Sequence, residues 1–266
     1  LPKEYGVLNM KTLLRYPGGK AKAVKKIIEY FPKDLTEMNS VFFGGGAIEL
    51  HMMSEGVKVN GYDNFSQLVT FWDMVSNETA KQCVIDEIKK YRVGTIDKKT
   101  FKKLQTDLIY NDLTNIEVAS KFFIVNRCSF SGTTLSGGMS PNTPRYTESS
   151  VNKLKAFDGS LLDITKADFE DSLTFFIGKN DFKYCDPPYL IESNLYGIKG
   201  KSHKEFDHDL FANCIKKHSN WIISYNDCDW VRESYKEYEI KELKFQYGTS
   251  KSKTELLILN IRRKHD

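Results

Sequence analysis

A chain of 266 residues is long enough for one large domain or for a domain carrying a substantial insertion. Hydrophobic residues make up 40% and charged residues 28%, an ordinary globular composition, and no apolar run approaches the roughly 20 residues that span a bilayer. A net charge of +4, from 39 Lys and Arg against 35 Asp and Glu, excludes a blanket of positive charge but leaves room for a local basic face toward nucleic acid.

The first residue is Leu and Met10 opens the patterned sequence, so residues 1–9 read as an extension or a tag remnant. Leu1 to Lys11 lacks the continuous apolar core of a signal peptide, and the expectation is an intracellular protein with no membrane segment. Leu13-Leu14-Arg15-Tyr16 reads as a short strand, Pro17-Gly18-Gly19-Lys20 as a turn, and Val24, Ile27 and Ile28 as the start of a helix. Without β-carbons, the Gly-Gly backbone lets a ligand approach closely. Lys20 stands at a helix start, where the dipole favours anions, so it indicates either a negatively charged partner or a plain turn with a solvated lysine.

Val41-Phe42-Phe43 reads as a strand entering Gly44-Gly45-Gly46, followed by a helix with Ile48, Leu50 and Met53. Glycines between a strand and a helix N-terminus suit a nucleotide-like cofactor. Val57 to Asp63 reads as a second strand ending in an acid, the place where ribose hydroxyls are accepted. The glycine spacing is not GxGxxG, and a purely structural turn is the alternative. From Phe65 to Asn126 the apolar residues recur at helical spacing, with Leu68, Phe71, Trp72, Leu104, Phe122 and Phe123 as a core stripe of a small helical subdomain. Its lysines (Lys89, Lys90, Lys98, Lys99, Lys102, Lys103) read as a solvated face or as phosphate contacts.

Asn126-Arg127-Cys128-Ser129-Phe130-Ser131-Gly132 opens a polar stretch that runs through a Ser/Thr/Gly tract to Arg145 and Tyr146. A loop or hairpin of this composition can follow phosphates, and an exposed Phe130 is the kind of residue that wedges between base steps. Leu161 to Phe169 reads as a strand ending at Asp168-Phe169, an acid and a ring that suit an adenine or simply cap a turn. Phe182, Tyr184 and Cys185 form a buried strand leading into Asp186-Pro187-Pro188-Tyr189. Two ring-locked φ angles make that turn stiff. It can hold the Asp186 carboxylate and the Pro187 carbonyl as fixed acceptors beside the Tyr189 ring, an arrangement suited to a flat, amine-bearing ring such as a flipped nucleobase. A surface Asp-Pro turn is the alternative. Asn194 to Lys204 reads as a polar loop that closes over a substrate, Asp207 to Lys217 as a helix and Trp221 to Asp227 as a strand. Gly248 to Lys253 reads as a polar loop and Leu256 to Leu259 as the last strand. Five scattered cysteines (Cys83, Cys128, Cys185, Cys214, Cys228) argue for reduced thiols and against a disulfide frame or a metal site. The whole describes an α/β sheet with ligands at the carboxyl ends of its strands and a second, inserted domain.

Taken in order, Arg15-Tyr16-Pro17-Gly18-Gly19-Lys20, Phe42-Phe43-Gly44-Gly45-Gly46, Asp63, Asp168-Phe169, Asp186-Pro187-Pro188-Tyr189, Ser224-Tyr225-Asn226-Asp227 and Glu255-Leu256-Leu257 resemble the Dam-type, alpha-group family of DNA adenine-N6 methyltransferases. The resemblance spans nearly the whole chain. It implies a Rossmann-like methyltransferase sheet over residues 1–64 and 157–266, with an inserted, mostly helical DNA-recognition domain at 65–156 bearing a hairpin loop. It implies S-adenosylmethionine as cofactor, lined by Phe42, Phe43, Gly44, Gly45 and Gly46, with Asp63 on its ribose and Asp168-Phe169 on its adenine. Tyr16, Gly18 and Lys20 would lie between cofactor and DNA. Asp186, which also borders the cofactor, and Pro187 would take the target amine in a turn completed by Pro188, and Tyr189 would stack on the flipped base. Asn126, Arg127, Phe130, Ser131 and Arg145 would contact double-stranded DNA. Partners implied are a cognate restriction endonuclease and no membrane, for a monomer or weak dimer working with DNA in a bacterial or viral-host cytoplasm. Ser40 and Val41 replace the acid and proline usual before the glycine turn. Leu135 stands where GATC-reading members carry a base-reading arginine, a type of contact that contributes about 1–3 kcal/mol of discrimination. Cytosine-N4 methylation and a catalytically idle DNA-binding protein remain as alternatives; an NAD-dependent enzyme ranks below both.

Overall fold

The computed structural model describes residues 12–141, 145–176, 181–190, 206–247 and 251–261, with backbone alone at 245–247 and 251–253. The expected loop at 194–204, the leading residues 1–9 and residues 248–250 lie outside the described residues. Among these, the strands are β1 Glu37–Ser40, β2 Lys58–Asp63, β3 Leu162–Lys166, β4 Lys183–Cys185, β5 Trp221–Asn226, β6 Glu239–Tyr247 and β7 Lys251–Asn260. They form one sheet in the order β3-β2-β1-β4-β5-β7-β6. The first five run parallel, and β7 inserts antiparallel between β5 and β6. This is the Rossmann-like sheet that the alternation of strands and helices foretells.

Burial explains the order. β4 is buried throughout and β5 is buried from Trp221 to Tyr225, so both need neighbours on either side and helices on both faces. β3, at one edge, has no fully buried residue. From β1 the chain crosses to β2 on one side, while β4 later pairs on the other, with Ser40 opposite both Gly61 and Tyr184. Strand order therefore reverses at β1, and the carboxyl ends of β1 and β4 part around a crevice.

The helices are α1 Val24–Ile28, α2 Ala47–Ser54, α3 Ser66–Ser76, α4 Glu78–Ile88, α5 Lys98–Tyr110, α6 Asn115–Cys128, α7 Glu148–Lys155, α8 Phe169–Thr174, α9 His208–Ile215 and α10 Asp229–Ser234. Several begin at legible caps. Thr114 and Glu117 close a capping box on α6, and Asp207 accepts from the Leu210 N–H at the start of α9. The aromatic stripe of the helical segment is core, as its spacing implies: Phe71 stacks on Phe123 with ring centres 5.9 Å apart, and Trp72 meets Phe43 edge-on at 5.3 Å. That core is continuous with one face of the sheet, whereas Val41, Phe211, Ile215, Trp221, Tyr225 and Tyr235 fill the other. Lys89, Lys90, Lys98, Lys99, Lys102 and Lys103 are solvent-exposed.

Four expectations need correction. The strand placed at Val41–Phe43 is β1, lying just upstream, because Asn39 and Ser40 are buried polar residues whose side chains are met by the Phe182 carbonyl and by Glu49. β6 was not foreseen, since Glu239 to Lys244 mixes charge and apolar residues as an edge strand does. Residues 251–253 belong to β7 rather than to a loop. Leu13 to Tyr16 joins no strand. Its backbone is paired by a side chain instead: the Arg15 N–H donates to Asn126 Oδ1 at 2.9 Å, and Asn126 Nδ2 donates to the Arg15 carbonyl at 2.8 Å.

Asn126 thus plays the part of a neighbouring strand, and its Nδ2 also donates to Thr134 Oγ1 at 3.1 Å. Asn126→Ala strips partners from both polar groups of Arg15 and is expected to lower the unfolding free energy by about 2–4 kcal/mol. Urea denaturation measures this; a loss below about 0.5 kcal/mol, the scale of a surface substitution, would show that the clasp is dispensable.

Candidate active site

The carboxyl ends of β1, β2 and β4 meet the Arg15-to-Lys20 segment around a cavity of about 730 Å³. Tyr16, Gly18, Lys20, the glycine turn from Gly44 to Gly46, Asp63, Asp186 and Tyr189 line it, and Ser131 from the 126–146 stretch lines it too. The glycine turn and the Asp186 carboxylate therefore face one space.

Asp186 is the first residue beyond β4. Lys20 Nζ lies 2.6 Å from Oδ1 and donates to Oδ2 at 2.7 Å, and Ser224 Oγ on β5 donates to Oδ1 at 2.8 Å. The Tyr184 hydroxyl stands 2.9 Å from the same Ser224 oxygen, so a short chain of hydroxyls backs the carboxylate. The negatively charged partner expected for Lys20 is thus Asp186. The lysine side chain is only 4% exposed, so it faces the cavity and can meet only a piece of DNA that enters it. Burial alone would push its pKa down, but the Asp186 carboxylate, helped by Tyr184 and Glu255, holds it above the ordinary lysine value. Lys20 Nζ also sits 4.6 Å from the centre of the Tyr189 ring. Tyr189 stacks on Tyr225 at 6.1 Å, and the Tyr225 hydroxyl meets His208 Nδ1. Asn226 fastens the end of the turn, accepting from the Leu190 N–H at 2.9 Å and donating to the Leu190 carbonyl at 3.3 Å.

The glycine turn is pinned from two sides. Gly44 donates to Asp63 Oδ2 at 2.9 Å, and its carbonyl accepts from Trp72 Nε1 at 3.1 Å. Gly44 and Gly46 have φ of +51° and +67°, a region that glycine adopts without strain. The close approach these glycines permit is to Tyr16: a Cβ on Gly45 would lie 2.6 Å from Tyr16 Cβ, and one on Gly44 would lie 3.0 Å from its ring. Asp63 ends β2 and takes the Phe65 N–H on its other oxygen at 2.9 Å. Burial raises its pKa, and the backbone N–H groups pull it partly back.

A smaller cavity of about 370 Å³ adjoins the first, sharing Phe42, Asp63, Asn64 and Pro188 and adding Asp168 and Phe169. Asp168 does cap a helix, accepting from the Asp171 N–H at the start of α8, while still lining this space. The Phe42 and Phe169 rings lie 6.3 Å apart, tilted by 35°.

One residue of the site escaped sequence reasoning. Ser40, at the position where the resemblance calls for an acid, donates to Glu49 Oε1 at 2.7 Å. Glu49 belongs to α2, is 3% exposed and lines the larger cavity. Burial pushes its pKa up to about 7, and the Ser40 hydroxyl restrains the rise. The available signal was a lone acid inside a helix buried on most sides, Ile48-Glu49-Leu50 followed by Met52 and Met53.

The 126–146 stretch is a compact, hydrogen-bonded turn where it is described. Ser129 and Met139 bridge antiparallel, and Phe130 N–H donates to the Gly138 carbonyl. Asn126, expected at the DNA contact, has its side chain buried and engaged with Arg15. Phe130 is 61% exposed, and Ser131 and Arg145 are exposed. Arg127 Nε donates to the Arg145 carbonyl at 3.0 Å, and Arg15 Nη1 to the Ser129 carbonyl at 2.7 Å. Burial and then the Arg15 and Arg145 charges push the Arg127 pKa down to about 10. Among the described residues no carboxylate is ion-paired with any of these three arginines. Leu135 is buried in the core.

Comparison with known proteins identifies the family. A family model described as D12 class N6 adenine-specific DNA methyltransferase matches residues 16–249. The Type II methyltransferase M.CviBI of Paramecium bursaria Chlorella virus NC1A is 23% identical over 246 residues, covering 90% of this chain and 91% of that protein. M1.LlaDCHI of Lactococcus lactis subsp. cremoris is 20% identical over 256 residues (89% and 88%), and M.MjaIII of Methanocaldococcus jannaschii is 25% identical over 268 residues (89% and 91%). Both are Type II methyltransferases.

The burial of Glu49 has a measurable consequence. Its folded pKa lies above the ordinary 4.5, so between pH 4.5 and 7 the folded chain holds a proton that the unfolded chain releases, and stability falls as pH rises through that window. The shift to about 7 corresponds to roughly 3 kcal/mol at pH 8. Glu49→Gln, which keeps an acceptor for Ser40, is expected to raise the melting temperature at pH 8 and leave it nearly unchanged at pH 4.5. Thermal melts across this range check it, and parallel curves for both proteins would refute it.

Proposed function

The chain belongs to the D12 class of N6 adenine-specific DNA methyltransferases, and on that premise we propose that it uses S-adenosylmethionine and draws its target adenine out of the duplex into the cavity beside Asp186. Membership decides between the readings that the residues left open: the chain is an enzyme, and it methylates adenine N6 in DNA at specific sites, not cytosine N4. The observation that carries the finer reading is that the Asp186 carboxylate and the glycine turn line one space.

The chain's own groups suit the proposed donor. Asp63 stands at the end of β2 for a pair of ribose hydroxyls, and Phe42, Asp168 and Phe169 edge a slot suited to an adenine. When bound, S-adenosylmethionine supplies a methyl group made electrophilic by its sulfonium. An exocyclic amine conjugated with its ring is a poor nucleophile. The Asp186 carboxylate and the Pro187 carbonyl are two acceptors that draw the amine hydrogens out of the ring plane, localise the lone pair and offset the positive charge that grows on nitrogen. Lys20 and Ser224 keep the carboxylate in position, and Tyr189, braced on Tyr225, covers a face of the base. Alignment of this kind supplies up to roughly 7–11 kcal/mol of rate acceleration.

Segment 65–156 serves as the DNA-recognition part. The arginines Arg15, Arg127 and Arg145, without carboxylate partners among the described residues, support contacts to backbone phosphates, and the exposed ring of Phe130 supports a wedge between base steps. The Type II names of the relatives support a role beside a cognate restriction endonuclease.

Asp186→Ala is expected to reduce methyl transfer to DNA at least about 1000-fold while donor affinity changes only several-fold, given the size of effect seen when a transition-state electrostatic partner is lost. Tritium transfer and calorimetric titration measure the two quantities, and an equal loss in both would refute the division of roles. Arg145→Ala is expected to weaken DNA binding across all sequences and to reduce the salt slope by about 1. A change confined to one sequence would instead mark it as a base reader.

A further inference from the structure

We infer that Glu49, presented by α2 and tethered by Ser40 at the end of β1, is the anionic acceptor for the primary ammonium of the methyl donor's amino-acid part. The inference rests on the reading of the donor as S-adenosylmethionine given above. It extends the site by a binding residue at a position that the resemblance leaves without a role.

Three observations carry it. Glu49 lines the same cavity as Lys20 and Asp186, yet it is 3% exposed, so a ligand in that cavity is the partner it can meet. Its tether fixes its aim: Ser40 Oγ donates to Oε1 at 2.7 Å. The other two carboxylates of the cavity are compensated within the protein, Asp186 by Lys20 and Ser224, and Asp63 by two backbone N–H groups. For Glu49 the corresponding contacts are the Ser40 hydroxyl and its own backbone N–H, and among the described residues no Lys, Arg or His nitrogen lies within 4.0 Å of it.

A carboxylate held out of water with so little compensation is costly, and a cationic ligand group repays it. The donor carries two positive centres. Its sulfonium must lie near Asp186 and Tyr189 for the methyl to reach the target amine, which leaves the ammonium for Glu49. Lys20 and Glu49 then offer opposite charges to a zwitterionic head. The chain lacks an acid at position 40, but the Ser40 hydroxyl there steadies an acid arriving from the helix.

The charged and titratable groups around Glu49 are Lys20 from the turn before α1, with Tyr184 and Asp186 from β4 and its end. Lys20 and Tyr184 titrate above their ordinary values, far from neutrality, and Asp186 is paired with Lys20. Loss of affinity on acidification through pH 7 therefore tracks Glu49.

The test is calorimetric titration of the full chain with S-adenosylhomocysteine and with its desamino analogue, in which hydrogen replaces the amine. The wild type is expected to bind the desamino compound about 10–100-fold more weakly, the range of a charge-assisted hydrogen bond. Glu49→Gln is expected to lose a similar factor for S-adenosylhomocysteine and almost nothing for the desamino compound. Ser40→Ala, which only loosens the tether, should lose a smaller factor with the same ligand preference. Wild-type affinity for S-adenosylhomocysteine should fall between pH 8 and pH 6, and the fall should vanish in Glu49→Gln. Equal weakening of both ligands by Glu49→Gln, or none, overturns the assignment. Failure of the wild type to bind either ligand would overturn the donor reading itself, and this inference with it.

Discussion

The ammonium of Lys20 lies against both carboxylate oxygens of Asp186 and joins residues 166 positions apart in sequence. Removing ions from water nearly cancels their attraction, so such a pair adds little net stability. Losing one member, however, strands a buried charge and costs about 3–5 kcal/mol. The pair therefore specifies geometry. It brings the turn before α1 up to the end of β4, places a positive charge 4.6 Å from the Tyr189 ring, and leaves Ser224 of β5, backed by Tyr184, to brace the carboxylate. The cavity exists because these two segments are drawn together across the point where the strand order reverses.

Opposite that pair, the glycine turn is a junction of the sheet, the helical layer and the segment before α1. Gly44 is held by Asp63 from β2 and by Trp72 from α3, and Tyr16 packs where side chains at positions 44 and 45 would stand. Shape at this corner depends on two glycines whose missing atoms make room for one tyrosine. The same packing explains why the helical segment shares a core with the sheet, since Trp72 of α3 reaches Phe43 beyond the end of β1.

Much of this was legible because the chemistry is local. A stiff Asp-Pro-Pro-Tyr turn after a buried strand, a glycine turn between strand and helix, and an acid closing the next strand each announce themselves within a few residues. What stayed hidden depends on partners far along the chain. β6 alternates charge with apolar residues because it is an edge strand, and only its pairing with β7 defines it. Leu13 to Tyr16 has strand composition, yet its partner is the side chain of Asn126. That engagement also explains why Asn126 is buried, although it sits in a stretch rich in exposed polar residues. Ser40 and Glu49 are unremarkable in sequence, and their meaning arises from a 2.7 Å contact between β1 and α2.

The clasp on Arg15 has one more consequence. Gly132 has φ of +79°, and a Cβ there would come within 2.2 Å of the Arg15 carbonyl, so the turn carrying Phe130 and Ser131 rests directly on that peptide. Five residues later the same backbone delivers Lys20 to Asp186. The exposed turn and the Asp186 carboxylate are thus opposite ends of one short lever, and any tilt of the turn must be taken up along it.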